Sequence, residues 1–234
     1  EDIEQRLRSV GANFKVVSEE ELIAVTAQAL VDGKAVGWHQ GRMEFGPRAL
    51  GGRSILADPR SPYTQRTLNL KVKYRESFRP FAPSILFEKL DDWFDLKCES
   101  PYMLFVADLK QDKQIKMDAD QINLFGIDKL NIPRSNIPAV THVDFSARVQ
   151  TVKSSQNPKF HKLLSEFYSI TGCPVLVNTS FNIRGEPIVN SPEDAFNCMM
   201  GTGIEFLAVG NCILLKEDQD LSKIKNYKDL YELD

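Results

Sequence analysis

Helix starts recur along this chain in one local form, and their spacing limits the fold more than any other feature. Ser18-Glu19-Glu20-Glu21 is a capping box, in which the serine hydroxyl and the glutamate three residues on satisfy backbone N–H groups that the first turn leaves open. Ser61-Pro62, Asn157-Pro158 and Ser191-Pro192 each set a capping side chain before a first-turn proline. Helices are therefore predicted from 18 to about 32, with Gly33 as the stop, over 62–71, from 157 to Gly172, and over 192–200. In the third of these, Leu163, Leu164, Phe167 and Ile170 fall on one face. Short apolar runs at 35–38, 83–87, 103–107, 147–152, 174–177, 206–209 and 212–215 read as strands, the last two closed into a hairpin at Gly210-Asn211. Strands that follow one another with no helix between them exclude a simple doubly wound sheet. The predicted class is α/β (α+β), a mixed twisted sheet with helices packed on it. Residues 1–17 show little periodicity and read as a linker or tail, with one domain over 18–234; the polar stretch 110–136 is an excursion of undefined role.

With 234 residues and 42% apolar content, the chain can bury a full core. No apolar run approaches the length of a membrane span, and Glu1-Asp2-Ile3-Glu4-Gln5-Arg6 lacks the order of a secretory signal, so a cytoplasmic protein is expected. Four separated cysteines form no CxxC pair, and no two of the three histidines stand four residues apart, so neither a disulfide framework nor a metal site is expected. The net charge of −3 argues against nucleic acid as a partner. That charge is uneven: residues 42–79 hold nine cations against three acids. An anionic ligand is expected there.

Four segments carry the candidate chemistry. The loop over 40–54 sets Arg42, Arg48 and Arg53 among glycines, which allows guanidinium groups and backbone N–H groups to converge on one anion. In Lys73-Tyr74-Arg75-Glu76-Ser77-Phe78-Arg79, an extended backbone would put Lys73, Arg75 and Arg79 on one face. Asn178-Thr179-Ser180-Phe181-Asn182 follows an apolar strand, and an extended chain would place Asn178, Ser180 and Asn182 on one side and Thr179 on the other. His142 and Arg148 bracket a further turn. Each of these also reads as a solvated charge run or polar turn when taken alone, and none shows a covalent nucleophile.

Taken together, QGRMEFGPRALGGRSILADPR at 40–60, KYRESFRPFAP at 73–83, HVDFSARVQTV at 142–152 and NTSFN at 178–182 resemble the C-terminal domain of the NodU/CmcH/TobZ family of O-carbamoyltransferases, over roughly residues 20–216. Lys73-Tyr74-Arg75 and Ser180-Phe181-Asn182 resemble the KxR and SxN signatures of the YrdC-like fold. The resemblance implies a domain that binds ATP, with Mg²⁺ on its phosphates, and carbamoyl phosphate, and that forms carbamoyl adenylate. It also implies a kinase-fold N-terminal partner domain, holding the family's catalytic metal, which passes the carbamoyl group to a hydroxyl. By motif position, Arg48, Lys73, Arg79 and Arg148 would hold the phosphates, with Ser180 joining the catalytic set. Arg53, Arg75, Asn178, Thr179, Asn182 and His142 would complete the nucleotide and carbamoyl site. A surface left open by an absent partner domain would favour a homodimer. Two other readings stay open: a threonylcarbamoyl-adenylate synthase of tRNA modification, which would lack the glycine-rich arginine loop, and a non-catalytic anion-binding or docking module.

Overall fold

A computed structural model describes residues 2–126, 132–220 and 222. Nine strands among the described residues form one mixed sheet in the order β1-β9-β8-β2-β3-β7-β4-β6-β5. They are β1 (Lys15–Val16), β2 (Val36–His39), β3 (Arg53–Ala57), β4 (Ala82–Leu86), β5 (Phe105–Asp108), β6 (Ser146–Val152), β7 (Val175–Ser180), β8 (Phe206–Val209) and β9 (Cys212–Leu215). Only β2 with β8 and β4 with β6 run parallel. The mixed, helix-covered YrdC-like sheet expected from the sequence is thus what forms.

Seven α-helices are described: α1 (Asp2–Ser9), α2 (Glu19–Val31), α3 (Thr64–Lys71), α4 (Leu90–Trp93), α5 (Ala119–Ile122), α6 (Pro158–Thr171) and α7 (Pro192–Gly201). Three of the four predicted caps form, whereas Ser61-Pro62 does not cap and its helix, α3, starts at Thr64 behind Tyr63 with no side-chain cap. Ser18 Oγ accepts from Glu21 N, Asn157 Oδ1 from Phe160 N and Ser191 Oγ from Asp194 N. Gly172 ends α6 in the left-handed conformation, where a Cβ would be strained. Both faces of the sheet are covered. From β2, Trp38 donates to Gly51 O, which lies against Phe160 of α6, while His39 on the other face meets Asn190 O just ahead of α7.

Three local expectations change. Residues 2–9, expected to be part of a linker or tail, form a helix that buries Leu7 completely and ties Arg6 to Glu193 of α7 at 2.8 Å, and β1 pairs with β9. Ile3 and Leu7, four residues apart, turn one face of this short helix to the core, and the ion pair anchors it to α7. The segment at 53–57, whose first two residues were assigned to the loop, is strand β3, held between β2 and β7. Ahead of β5, Met103 sits at φ 56°, so the strand begins at Phe105 rather than at 103. No helix among the described residues is long and apolar enough to cross a membrane.

Candidate functional site

The glycine-rich loop folds around its one acid. Glu44 Oε1 accepts from both Leu50 N and Gly52 N at 2.7 Å, and a Cβ at Gly52 would lie 3.0 Å from that oxygen. A carboxylate taking two backbone N–H groups closes the loop firmly. The carbonyls of Ala49 and Leu50 then receive Asn178 Nδ2 at 3.2 Å and Gln150 Nε2 at 2.9 Å. The three loop arginines do not converge as expected. Arg48 enters a cavity with β7, Arg42 lines a different cleft, and Arg53 turns inward. Its guanidinium donates to the carbonyls of Gln40, Gly41, Gly52 and Asn190 at 3.1–3.2 Å.

Nor is 73–79 an extended strand. Tyr74 has φ 48°, and Lys73 and Arg75 bond back through their N–H groups to Leu68 O and Asn69 O, so the segment turns and the shared face is lost. Lys73, only 5% exposed, points inward. Its Nζ reaches Ser180 O, Ser180 Oγ, Asn182 O and Asn182 Oδ1 within 3.2 Å. Burial pushes the amine down to about 7, partly opposed by Cys198 and Glu186, with the Arg75 charge adding to the lowering. Arg75 lies over the Phe81 ring at 4.9 Å with Nε on Asn69 Oδ1. Arg79 stays half-exposed against Glu76 at 3.2 Å.

A cavity of about 170 Å³ collects six of the expected residues: Arg48, Arg75, Arg148, Asn178, Thr179 and Ser180. The carboxyl end of β7 delivers the last three, β6 delivers Arg148, and Pro47, Phe81 and Met103 contribute apolar wall. No carboxylate among the described residues lines it. Burial lowers the affinity of Arg148 for its proton, with Arg48 adding like-charge repulsion, and Arg75 is lowered by burial and then by Arg79. A bound anion would relieve that repulsion. Two buried atoms here, Arg148 Nε and Asn178 Oδ1, have no hydrogen-bond partner among the described residues.

Lys73 and Asn182 stand directly behind Ser180, whose Oγ donates to Asn182 Oδ1 at 2.7 Å. Arg53, Arg79 and His142 do not line the cavity. His142 lies within 3.5 Å of Ser146 Oγ, and burial lowers its pKa. Sequence reasoning missed Glu44, Gln150 and Ser84. Gln150 carried a legible signal, a large polar residue at a strand position that burial reduces to 3% exposure. On the other side of Leu50 and Gln150 opens a cleft of about 570 Å³, with Arg42, Glu44, Tyr102, Lys153 and Lys159 in its walls.

Comparison with known proteins agrees with the resemblance seen in the motifs. The chain is 52% identical over its whole length to an uncharacterised protein of Synechocystis sp., of which it covers 38%. It is 40% identical over 92% of its length to the nodulation protein NolNO of Sinorhizobium fredii, covering 29% of that protein. It is also 40% identical over 78% of its length to the 3'-hydroxymethylcephem-O-carbamoyltransferase of Amycolatopsis lactamdurans, covering 31% of that enzyme. The chain therefore spans little more than a third of these relatives at most. Residues 27–216 match the family described as carbamoyltransferase C-terminus, and the chain belongs to that family.

Proposed function

We propose that this domain binds carbamoyl phosphate and ATP and forms carbamoyl adenylate. The observation that carries this reading is the cavity lined by Arg48, Arg75 and Arg148, with no carboxylate among the described residues in its walls. Joining two anions requires that their repulsion be offset and that the reacting groups be held in line, and fixed guanidinium groups do both. In balance, water converts carbamoyl phosphate to carbamate and phosphate, and a carbamate oxygen then attacks the α-phosphorus of ATP and expels pyrophosphate. Arg48 and Arg148 hold the phosphoryl oxygens, Arg75 offsets the incoming charge, and Lys73 keeps Ser180 and Asn182 in place from behind. The cavity has room for a phosphoryl-carbamoyl unit, so we place the nucleotide's base and sugar in the larger cleft across Leu50. The cavity's residues do not fit a protein-held Mg²⁺, because it offers no carboxylate, and no step is assigned to that ion. Transfer to a hydroxyl acceptor belongs in this reading to the additional length of the larger relatives, in a cytoplasmic protein.

Calorimetric titration with carbamoyl phosphate, with and without ATP and Mg²⁺, tests the site. Exchange of labelled pyrophosphate into ATP that depends on carbamoyl phosphate tests the chemistry. Saturable binding without exchange would favour the non-catalytic anion-binding module, and no binding by folded protein would remove the assignment.

A further inference from the structure

Asn69 is a short polar residue in the last turn of α3, completely buried, and it belongs to none of the four motifs. Asparagine is a poor helix former and a buried amide needs partners at both ends, so its place there has a cause outside the helix. The partners of its side chain all lie in 75–79. Asn69 Nδ2 donates to Ser77 O at 3.0 Å and to Arg79 O at 2.8 Å, and Asn69 Oδ1 accepts from Arg75 Nε at 2.7 Å. Its backbone carbonyl accepts from Arg75 N at 3.0 Å. Carbonyl oxygens only accept and an Nε–H only donates, so this amide has one orientation. Tyr74 makes the approach feasible: its φ of 48° turns the chain back toward α3, and its hydroxyl donates to Gly201 O of α7 at 2.8 Å. A left-handed backbone is uncommon for a bulky aromatic residue and persists where the surroundings hold it.

We infer that Asn69 is the positioning residue of Arg75: by taking Nε from behind, it turns the two terminal nitrogens of the guanidinium into the cavity, against the charge of the bound anions. Arg75 lines that cavity and Asn69 does not. Phe81, in the same wall, supports one face of the guanidinium at 4.9 Å. A ring contact alone leaves the group free to turn within its plane, and the bond at Nε removes that freedom. A fork already ordered meets an anion without the entropy loss of ordering itself, and the saving appears as affinity. The inference rests on the proposed anion site and deepens it, since it assigns the aim of one arginine to a buried residue that touches no ligand.

A double-mutant cycle read by calorimetry separates aim from support of the fold. Carbamoyl phosphate and inorganic phosphate are titrated into the chain, into Asn69→Ser, into Arg75→Ala and into the double variant, each checked by a thermal melt. Asn69→Ser, too short to reach Nε, is expected to weaken binding about tenfold with Arg75 present and by less than about twofold in the Arg75→Ala background. An equal loss in both backgrounds would overturn the inference, as would unchanged affinity in folded Asn69→Ser. If Asn69→Ser does not fold, the parent protein decides by NMR. The Arg75 Nε–H, assigned by its absence from the Arg75→Ala spectrum, should exchange slowly with water and shift when the anion binds; fast exchange or no shift would overturn the inference. Binding of phosphate without carbamoyl phosphate would remove the substrate reading alone, and the same cycle run with phosphate would still decide for or against Asn69. Binding of neither would remove both.

Discussion

Arg53 and Arg148 lie at the two ends of the same sheet neighbourhood and have opposite surroundings. Arg53 donates to four backbone carbonyls and ties the start of β3 to the glycine-rich loop and to Asn190. Its neighbour His39 shares the Asn190 carbonyl and is pushed down to about 4 by burial and then by Arg53, so that imidazole is neutral at pH 7. Arg148 has a buried Nε without a partner, a long contact from Nη2 to Met103 Sδ at 3.9 Å, and a like charge in Arg48. A guanidinium whose donors all end on carbonyls stabilises a fold; one kept short of partners beside other cations stores binding capacity for an anion.

That contrast can be broken most sharply at Arg53. Arg53→Ala should lower stability by about 3 kcal/mol in denaturant unfolding, since several buried carbonyls lose charge-assisted donors. A variant as stable as the parent would show that the carbonyls find other donors and that the contrast is empty. Arg148→Ala should behave oppositely, costing about 2 kcal/mol in carbamoyl phosphate affinity with an unchanged or raised melting temperature, because a crowded cation is removed. Parallel calorimetry and melting curves separate the two effects.

A third expectation concerns pH. Lys73 in the free protein sits near 7 because burial opposes its charge, and a bound anion one residue away would raise it. A group whose pKa rises on binding contributes affinity in full below its free value and loses it as pH climbs through the bound one. Affinity for carbamoyl phosphate should therefore fall about tenfold between pH 7 and 9, and Lys73→Met should flatten that slope. For folding the sign is reversed: a lysine lowered in the native state penalises stability below pH 7, and the penalty fades as pH rises from 7 toward 10.5. The smallest effect is expected at Glu44→Gln, which keeps an acceptor for Leu50 N and Gly52 N but loses its charge. Loop stability should drop by about 1 kcal/mol, read as faster amide exchange at those two N–H groups.

Helix starts were legible because a cap is local: Ser18, Asn157 and Ser191 each bond within three residues of themselves. Ser61-Pro62 looked alike and did not cap; its helix begins at Thr64 after a turn. Helix α1 escaped notice because its order comes from Leu7 in the core and Glu193, 187 residues away. In the cavity, residue identity was readable and direction was not. Asn178 and Arg148 were marked by their motifs, whereas Lys73 turned from its expected face once Tyr74 took a positive φ.

By itself, the amino-acid order determined which segments could be helix or strand, where cations would concentrate and which glycine-rich loop would bend, since propensity, capping and charge act over a few residues. Only the tertiary structure decided which arginines were spent on carbonyls and which line the cavity, and that the Asn178 amide would donate to Ala49 O and Gln150 Oε1. Those choices depend on partners up to 137 residues apart in sequence, such as Arg53 and Asn190, and only the closed sheet brings them within hydrogen-bond reach.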